Sequence, residues 1–424
     1  MKSSIAIRLI QPIITGALIF YVFSGISSVL NYAFYPAIAR FVSVSQYGEI
    51  QFLVSMFTQL AVGFVVLNIL AIIIGAELKS ATEQSKAMHS LTVVATVTTL
   101  LIAIVGAAIL FTQKTALNLQ NDVAIIALSL SLLINVPFTI AIGRLQGNNR
   151  FVASGLISML GAFLKLVFSI LFVVLGYGVA GAIFGIFAGM VVSLAIASSL
   201  SLHEKTPPKE PKGIVFSRQH LIQLNFIKNR AAVALAAITL LTLLSAADSI
   251  TSRVALSGIE AGHYAAIATV AKMILAATSP LMWLALPPAI QGNNKVVLKY
   301  IIVTFLISII AGTCFTLAPS FFTGTIIGVD PGPYIALLPL AVAGMTLCAV
   351  AFILLTVSIC RGYLKGIIMT LALATVLYFF TYSSLSTATE SVTASLYGQV
   401  VTSACLIIGL GIQSLHTRKA SRTA

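Results

Sequence analysis

Long apolar runs separated by short polar links are the dominant pattern along this chain. A run of about 20 apolar residues is long enough to cross the hydrocarbon core of a bilayer as an α-helix. The pattern predicts twelve such spans, of which the eleventh is the shortest. The predicted spans are Pro12–Ile38, Ile50–Gly75, Leu91–Thr112, Val123–Gly143, Phe151–Leu175, Val179–Leu202, Ala231–Ile250, Tyr264–Ile290, Val296–Phe322, Tyr334–Cys360, Gly366–Tyr382 and Val392–Gln413.

The composition agrees with this pattern and excludes a soluble protein. The 424 residues are 59% hydrophobic and only 8% charged, and the mean hydropathy is +1.08. Soluble domains carry about 25% charged residues. Because helices satisfy their own backbone hydrogen bonds in lipid, the predicted fold class is an all-α polytopic membrane protein.

The basic residues predict how the chain is oriented. Most of the 24 Lys and Arg residues lie in the N-terminal segment, the even-numbered links or the C-terminal tail. Positive residues accumulate on the cytoplasmic side, so both termini are predicted to lie there, with the protein in the cytoplasmic membrane. The net charge of +14 then reflects topology and attraction to anionic membrane lipids, and it does not indicate nucleic-acid binding.

A proline- and charge-rich link divides the chain into two halves. Residues 203–230 contain the sequence TPPKEPK, which is typical of a linker. The predicted organisation is a six-helix lobe over 1–202, a cytoplasmic linker with the start of the seventh helix over 203–230, and a second six-helix lobe over 231–424.

The two halves share a weak internal repeat. Arg40 and Arg253 are 213 positions apart, as are Gly185 and Gly398. An even number of spans in each half gives two copies of the same orientation. Parallel repeats of this kind are typical of transporters that carry their substrate between two lobes.

Cations within or next to the predicted spans are the main candidates for substrate binding. Lys165 lies near the middle of the fifth span, where a charge costs about 2.5 to 3.5 kcal/mol, and Lys272 lies in the eighth. Both are predicted to face a water-filled cavity, with Arg40 and Arg253 at the outer mouths of the two lobes. Because Lys and Arg bind phosphate groups by charge and hydrogen bonding, they favour an anionic cargo such as a phosphate or pyrophosphate.

Small polar side chains recur at helical spacing and form polar faces on several spans. They are candidate cavity residues, although such faces also pack helices together in lipid. The candidates are Ser24, Ser28 and Asn31 in the first span, Gln51 in the second, Ser158 in the fifth and Ser245 in the seventh.

Asp248 is the only acidic residue within a predicted span. It is a candidate for coupling to H⁺ or Na⁺, and an ion pair with Arg253 is the other interpretation. The histidines are isolated, the cysteines show no pairing pattern, and no carboxylate pair or glycine-rich phosphate loop is present. We therefore predict no catalytic residue, no metal site and no bound cofactor, and the chain is not expected to be an enzyme.

Several segments resemble bacterial polysaccharide flippases, the Wzx-like branch of the multidrug/oligosaccharidyl-lipid/polysaccharide exporter superfamily. YPAIARFVSVSQYGEIQF follows the first span, LQGNNRF follows the fourth and GYGVAGAIFG begins the sixth. DSITSRVALSGIEAGHYAAIATVAKMI joins the seventh and eighth spans, and LPPAI lies near the end of the eighth. The resemblance extends over most of the chain.

The resemblance implies a MATE-like fold, with two six-helix bundles in a V around a central cavity. It implies a flippase that moves a polyprenyl-pyrophosphate-linked oligosaccharide, such as an O-antigen, capsule or exopolysaccharide repeat unit, to the outer leaflet by alternating access. It further implies that cavity cations hold the pyrophosphate-sugar head, that polysaccharide polymerase machinery is a partner, and that the protein acts as a monomer.

Two relatives with the same architecture are alternatives. Drug/cation antiporters usually place an acidic residue in the first-lobe cavity, whereas the first span here has none. Peptidoglycan-precursor flippases usually have two further helices.

Overall fold

Every regular element in the described part of the chain is helical, as predicted. The computed structural model describes residues 2–77, 80–148, 150–202, 239, 241–243, 245–290, 294–360, 368, 372–376 and 388–423. The helices are α1 (Lys2–Ala39), α2 (Val44–Glu77), α3 (Ala81–Thr112), α4 (Asp122–Gly147), α5 (Phe151–Phe172), α6 (Gly178–Leu202), α7 (described at 239, 241–243 and 245–255), α8 (Gly258–Ile290), α9 (Asn294–Leu317), α10 (Leu338–Cys360), α11 (described at 372–376) and α12 (Ala388–Thr423).

Seven helical stretches within the described residues are long and apolar enough to cross a bilayer. One of them, Phe151–Ser199, contains α5 and most of α6. The chain is therefore a multi-pass membrane protein. The predicted linker over 203–230 and most of the predicted eleventh span lie outside the described residues.

Two helices begin with the same reciprocal cap at positions related by the repeat. At the start of α2, the Ser43 N–H donates to Gln46 Oε1 at 3.0 Å and the Gln46 N–H donates to Ser43 Oγ at 3.3 Å. At the start of α8, Ser257 and Glu260 form the same pair at 3.1 and 3.3 Å. These bonds satisfy N–H groups that have no partner within the helix. The hydrogen bonds from Ser257 also lower the pKa of Glu260 below its usual value.

The described residues form two compact units. The first unit comprises Met1–Val42 and Gly63–Ile214, and the second comprises Ser43–Val62 and Val215–Ala424. The boundary falls within α2, so the beginning of this helix packs with the second unit. The predicted lobe boundaries assign all of α2 to the first lobe, and they stay a prediction.

A tight reversal joins α5 to α6 in the first unit. The chain passes through a π-helical turn over Val173–Tyr177, in which Gly176 has a φ of 93°. Gly178 follows with a φ of 48°. Residues with a side-chain carbon rarely adopt such conformations, which explains the two glycines of the GYG sequence.

Small residues then bring α6 into backbone contact with α5. A Cβ atom at Gly185 would lie 2.3 Å from the backbone of Ser169, and one at Gly189 would lie 2.5 Å from the backbone nitrogen of Lys165. Gly185 and Gly189 are four residues apart in α6, and Lys165 and Ser169 are four residues apart in α5, which is about one helical turn in each case. This spacing of small residues is typical of closely packed helices in membranes.

The second unit has its core where α10 packs against its neighbours. Cys348, Ala351 and Leu355 of α10 are buried together with Leu241 of α7 and Leu406 of α12. α8, α9 and α12 each contact α10. The beginning of α2 joins this unit through glycines, because a Cβ atom at Gly48 would lie 2.9 Å from the Cα of Gly262.

We predict that Gly185→Ala destabilises the protein by about 1 to 3 kcal/mol, because the added carbon overlaps the α5 backbone. Gly106→Ala in α3 is the matched control, since a Cβ atom there has nothing within 4 Å. Thermal unfolding of the purified protein in detergent compares the two variants. Equal melting temperatures would contradict the described contact between α5 and α6.

Candidate functional site

The first polar site, which we call the Lys165 site, consists of Asn31, Phe34 and Lys165 in the first unit. The Lys165 ammonium donates a hydrogen bond of 2.6 Å to Asn31 Oδ1. The same ammonium lies 4.9 Å from the centre of the Phe34 ring, within the range of a cation–π interaction. Two predicted residues, Lys165 and Asn31, are therefore brought together.

Contacts between α1, α5 and α6 hold this lysine in place. The Asn31 Nδ2 donates to the Ser27 carbonyl at 2.9 Å, which turns the amide oxygen toward Lys165. The Ser27 hydroxyl in turn donates to the Ser158 carbonyl of α5 at 3.2 Å. Gly189 of α6 touches the Lys165 backbone from another side.

The partners of Lys165 are neutral, so its charge is solvated but not cancelled. Within the described residues, the Lys165 ammonium makes no ion pair, and its side chain is half-buried. An ammonium carries three donors, and the amide of Asn31 takes one of them. The site therefore retains a net positive charge and unused donor capacity, which suits an anion.

The second polar site, the Asp248–Lys272 site, lies in the second unit. Lys272 Nζ is 3.4 Å from Asp248 Oδ1, and Tyr264 donates its hydroxyl to Asp248 Oδ2 at 3.0 Å. Ser249 Oγ accepts a hydrogen bond from Lys272 and one from Gln51 Nε2 at 3.3 Å. The same Ser249 hydroxyl is 3.4 Å from Asp248 Oδ1. The network thus joins two predicted cavity residues, Gln51 and Lys272, with Asp248, the predicted candidate for ion coupling.

The two charges of this pair differ in burial. The Asp248 side chain is fully buried, whereas 16% of the Lys272 side chain is exposed. A carboxylate removed from water needs a cation or several hydrogen bonds, and Asp248 has both.

The predicted ion pair between Asp248 and Arg253 is not formed. Asp248 pairs with Lys272, and the acidic group whose charge acts on Arg253 is Glu49 of α2. Arg253 and Glu49 are each 1% exposed. The helical spacing explains the difference, because Arg253 is five residues from Asp248 and so points to a different side of α7.

The two arginines related by the repeat occupy different environments. Arg40 is exposed and directly follows the end of α1. Arg253 is buried in the second unit. The expectation that both residues lie at an outer mouth stays a prediction.

The remaining predicted serines use their hydroxyls within their own helices. Ser28 donates to the Ser24 carbonyl at 3.0 Å, Ser158 donates to the Ser154 carbonyl at 2.9 Å, and Ser245 donates to the Thr242 carbonyl at 2.7 Å. These oxygens can still accept hydrogen bonds. A role of these serines and of Ser24 toward cargo stays a prediction.

Sequence reasoning does not identify Phe34 and Tyr264 of these two sites, nor Glu49, whose charge acts on Arg253. Phe34 is an ordinary apolar residue of its span, and only its position three residues after Asn31 places it on the same helical face. Tyr264 lies eight residues before Lys272, on the face of α8 that also carries the lysine. Glu49 precedes the predicted start of the second span, but the Ser43 cap starts the helix earlier and places Glu49 inside it.

No family model matches the sequence, and no curated protein matches it. Solved structures match over nearly the whole chain. The lipid II flippase MurJ in an inward closed conformation matches with a TM-score of 0.71 and 11% identity, covering 94% of this chain and 87% of that chain.

Two transporters of the MATE type match to a similar degree. An inward-facing multidrug resistance MATE transporter of the MOP superfamily has a TM-score of 0.68 and 14% identity, covering 96% of each chain. The eukaryotic MATE transporter AtDTX14 has a TM-score of 0.67 and 13% identity, covering 95% of this chain and 96% of that chain. These likenesses confirm the predicted MATE-like fold but do not single out the Wzx-like branch.

We predict that Arg253→Gln destabilises the protein by about 3 to 5 kcal/mol, because it leaves the buried Glu49 carboxylate without its cation. Arg40→Gln is the matched control at the exposed, repeat-related position, where the change should stay within about 0.5 kcal/mol. Thermal unfolding in detergent measures both. Similar melting temperatures for the two variants would show that Arg253 is not a buried structural cation.

Proposed function

We propose that this protein is a flippase that moves an anionic lipid-linked oligosaccharide across the cytoplasmic membrane by alternating access. The observation that carries the proposal is the Lys165 ammonium, which is half-buried and has only neutral partners within the described residues. A charge in a membrane-spanning helix is expensive and is usually retained for a function. An anionic head group would supply the opposite charge that Lys165 lacks.

The chemistry of the site favours a phosphate or pyrophosphate group. Lys165 can keep its hydrogen bond to Asn31 and direct its other N–H groups toward phosphate oxygens. The Phe34 ring adds a cation–π contact, with its centre 4.9 Å from the ammonium. The uncharged glycan would then be recognised by hydroxyl and amide groups such as those of Ser24, Ser28 and Ser158.

The buried acidic residues argue against a cationic cargo. Asp248 and Glu49 are buried in the described part of the chain, and each faces a cation, Lys272 and Arg253 respectively. A drug/cation antiporter needs a carboxylate that is available to its substrate or to the coupling ion. The charge balance of these sites supports an anionic cargo instead.

The structural likenesses are compatible with this function. MurJ is a lipid II flippase, so the fold carries a lipid-linked substrate in at least one protein. We propose a polyprenyl-pyrophosphate-linked oligosaccharide as the cargo and a monomer as the functional form. A peptidoglycan-precursor flippase is the alternative that the same fold supports.

We predict that Lys165→Met reduces flipping at least about tenfold without loss of folded protein, because the variant removes the charge and keeps the apolar stem. The measurement is transfer of a labelled polyprenyl-pyrophosphate oligosaccharide between leaflets of proteoliposomes. Lys114→Met is the matched control, since Lys114 is a surface lysine whose partner is Asp122 at 2.6 Å. Normal flipping by Lys165→Met would remove this residue from the cargo site, and proton-driven dye efflux by the wild type would support the antiporter.

A further inference from the structure

We propose that Asp248 is an internal counterion of Lys272 that the anionic head group of the cargo must displace. Lys272 would then be a second cation that binds the head group, but only after the head group replaces Asp248 as its partner. Lys165 has no carboxylate to replace among the described residues and can bind the head group directly. This inference rests on the proposed function, because it assumes an anionic cargo. It assigns to Asp248 a role in specificity and release, in place of the predicted coupling to H⁺ or Na⁺.

The burial of the pair shows which partner an incoming anion can reach. Asp248 is fully enclosed, while part of the Lys272 side chain is exposed. An anion can therefore approach the Lys272 side chain but not the carboxylate. The lysine has a flexible four-carbon stem, so its head group can move while the aspartate stays in place.

The carboxylate keeps other partners when the lysine leaves. Tyr264 donates to Asp248 Oδ2 at 3.0 Å, and the Ser249 hydroxyl is 3.4 Å from Oδ1. Hydrogen bonds from two hydroxyls lower the cost of a buried carboxylate that has lost its cation. The ion pair itself is 3.4 Å long, longer than the 2.6 Å bond between Lys165 and Asn31.

Two further side chains that the structure describes near the pair carry no negative charge. Cys348 of α10 lies near Asp248 and Lys272, and Gln51 of α2 reaches the pair through Ser249. A thiol and an amide are both neutral groups. Glu49, the buried acid of α2, acts on Arg253.

Exchange against an internal carboxylate selects for strongly charged anions. A singly charged anion offers Lys272 no more than Asp248 already supplies, whereas a pyrophosphate offers several negative oxygens. When the head group departs, Asp248 takes Lys272 back, which favours release. The site would thus discriminate pyrophosphate-linked cargo from anions with a single charge.

The test is the affinity of the purified full-length protein for inorganic pyrophosphate, measured by titration calorimetry in detergent. Asp248→Asn removes the competing charge and keeps the shape, so we expect binding about tenfold tighter. Tyr264→Phe removes a hydroxyl that supports the carboxylate without Lys272, so we expect binding about threefold weaker. In the double variant Asp248→Asn/Lys272→Met, the gain in affinity should disappear.

The outcomes separate this inference from the proposed function. If pyrophosphate binds through Lys165 but Asp248→Asn leaves the affinity unchanged or weaker, the counterion role is overturned and the proposed function stands. If Asp248→Asn does not fold, Tyr264→Phe decides, because unchanged or tighter binding overturns the role. If the wild type binds no pyrophosphate and moves no polyprenyl-pyrophosphate oligosaccharide between the leaflets of proteoliposomes, the proposed function itself fails, and this inference fails with it.

Discussion

A positive charge held away from water needs a partner, and the three buried or half-buried cations considered above meet this requirement in different ways. Lys165 contacts an amide oxygen and an aromatic ring, and Lys272 pairs with the Asp248 carboxylate. Arg253 is stabilised by the charge of the Glu49 carboxylate. Only the partners of Lys165 are neutral. Neutral partners solvate a cation without cancelling its charge, so this lysine still attracts an anion.

The packing of the first unit brings the partners of Lys165 to it. The Lys165 side chain reaches Asn31 only because α1 lies along α5, and the bond between Ser27 and the Ser158 carbonyl fixes that contact. Gly189 leaves room for α6 against the Lys165 backbone. The sequence around the lysine is therefore constrained by close helix packing as well as by charge.

The fold class could be predicted because lipid allows few backbone arrangements, so long apolar runs indicate helices with little ambiguity. The internal repeat stays a prediction from the spacing of residues such as Arg40 and Arg253. The pairing of charges could not be predicted from spacing along one helix. Asp248 and Arg253 are close in sequence, yet the partner of Asp248 comes from α8, and which helix face meets which neighbour depends on packing.

The residue type also does not predict how deeply a side chain is buried, even at two positions related by the predicted repeat. Arg40 and Arg253 occupy equivalent places in the repeat, but one is exposed and the other is enclosed. Glu49 was missed because the helix starts at its Ser43 cap, before the apolar run begins. Capping residues and apolar runs have to be read together to place such a residue inside a helix.

The most direct test of the central claim compares two cargoes that differ only in charge. A polyprenyl-pyrophosphate oligosaccharide and a neutral glycolipid with the same glycan and tail would be offered to the same proteoliposomes. Because an uncancelled ammonium is held to select the head group, only the charged lipid should cross between leaflets in a protein-dependent manner. Equal transfer of the neutral lipid would show that Lys165 and Lys272 do not determine which cargo is moved.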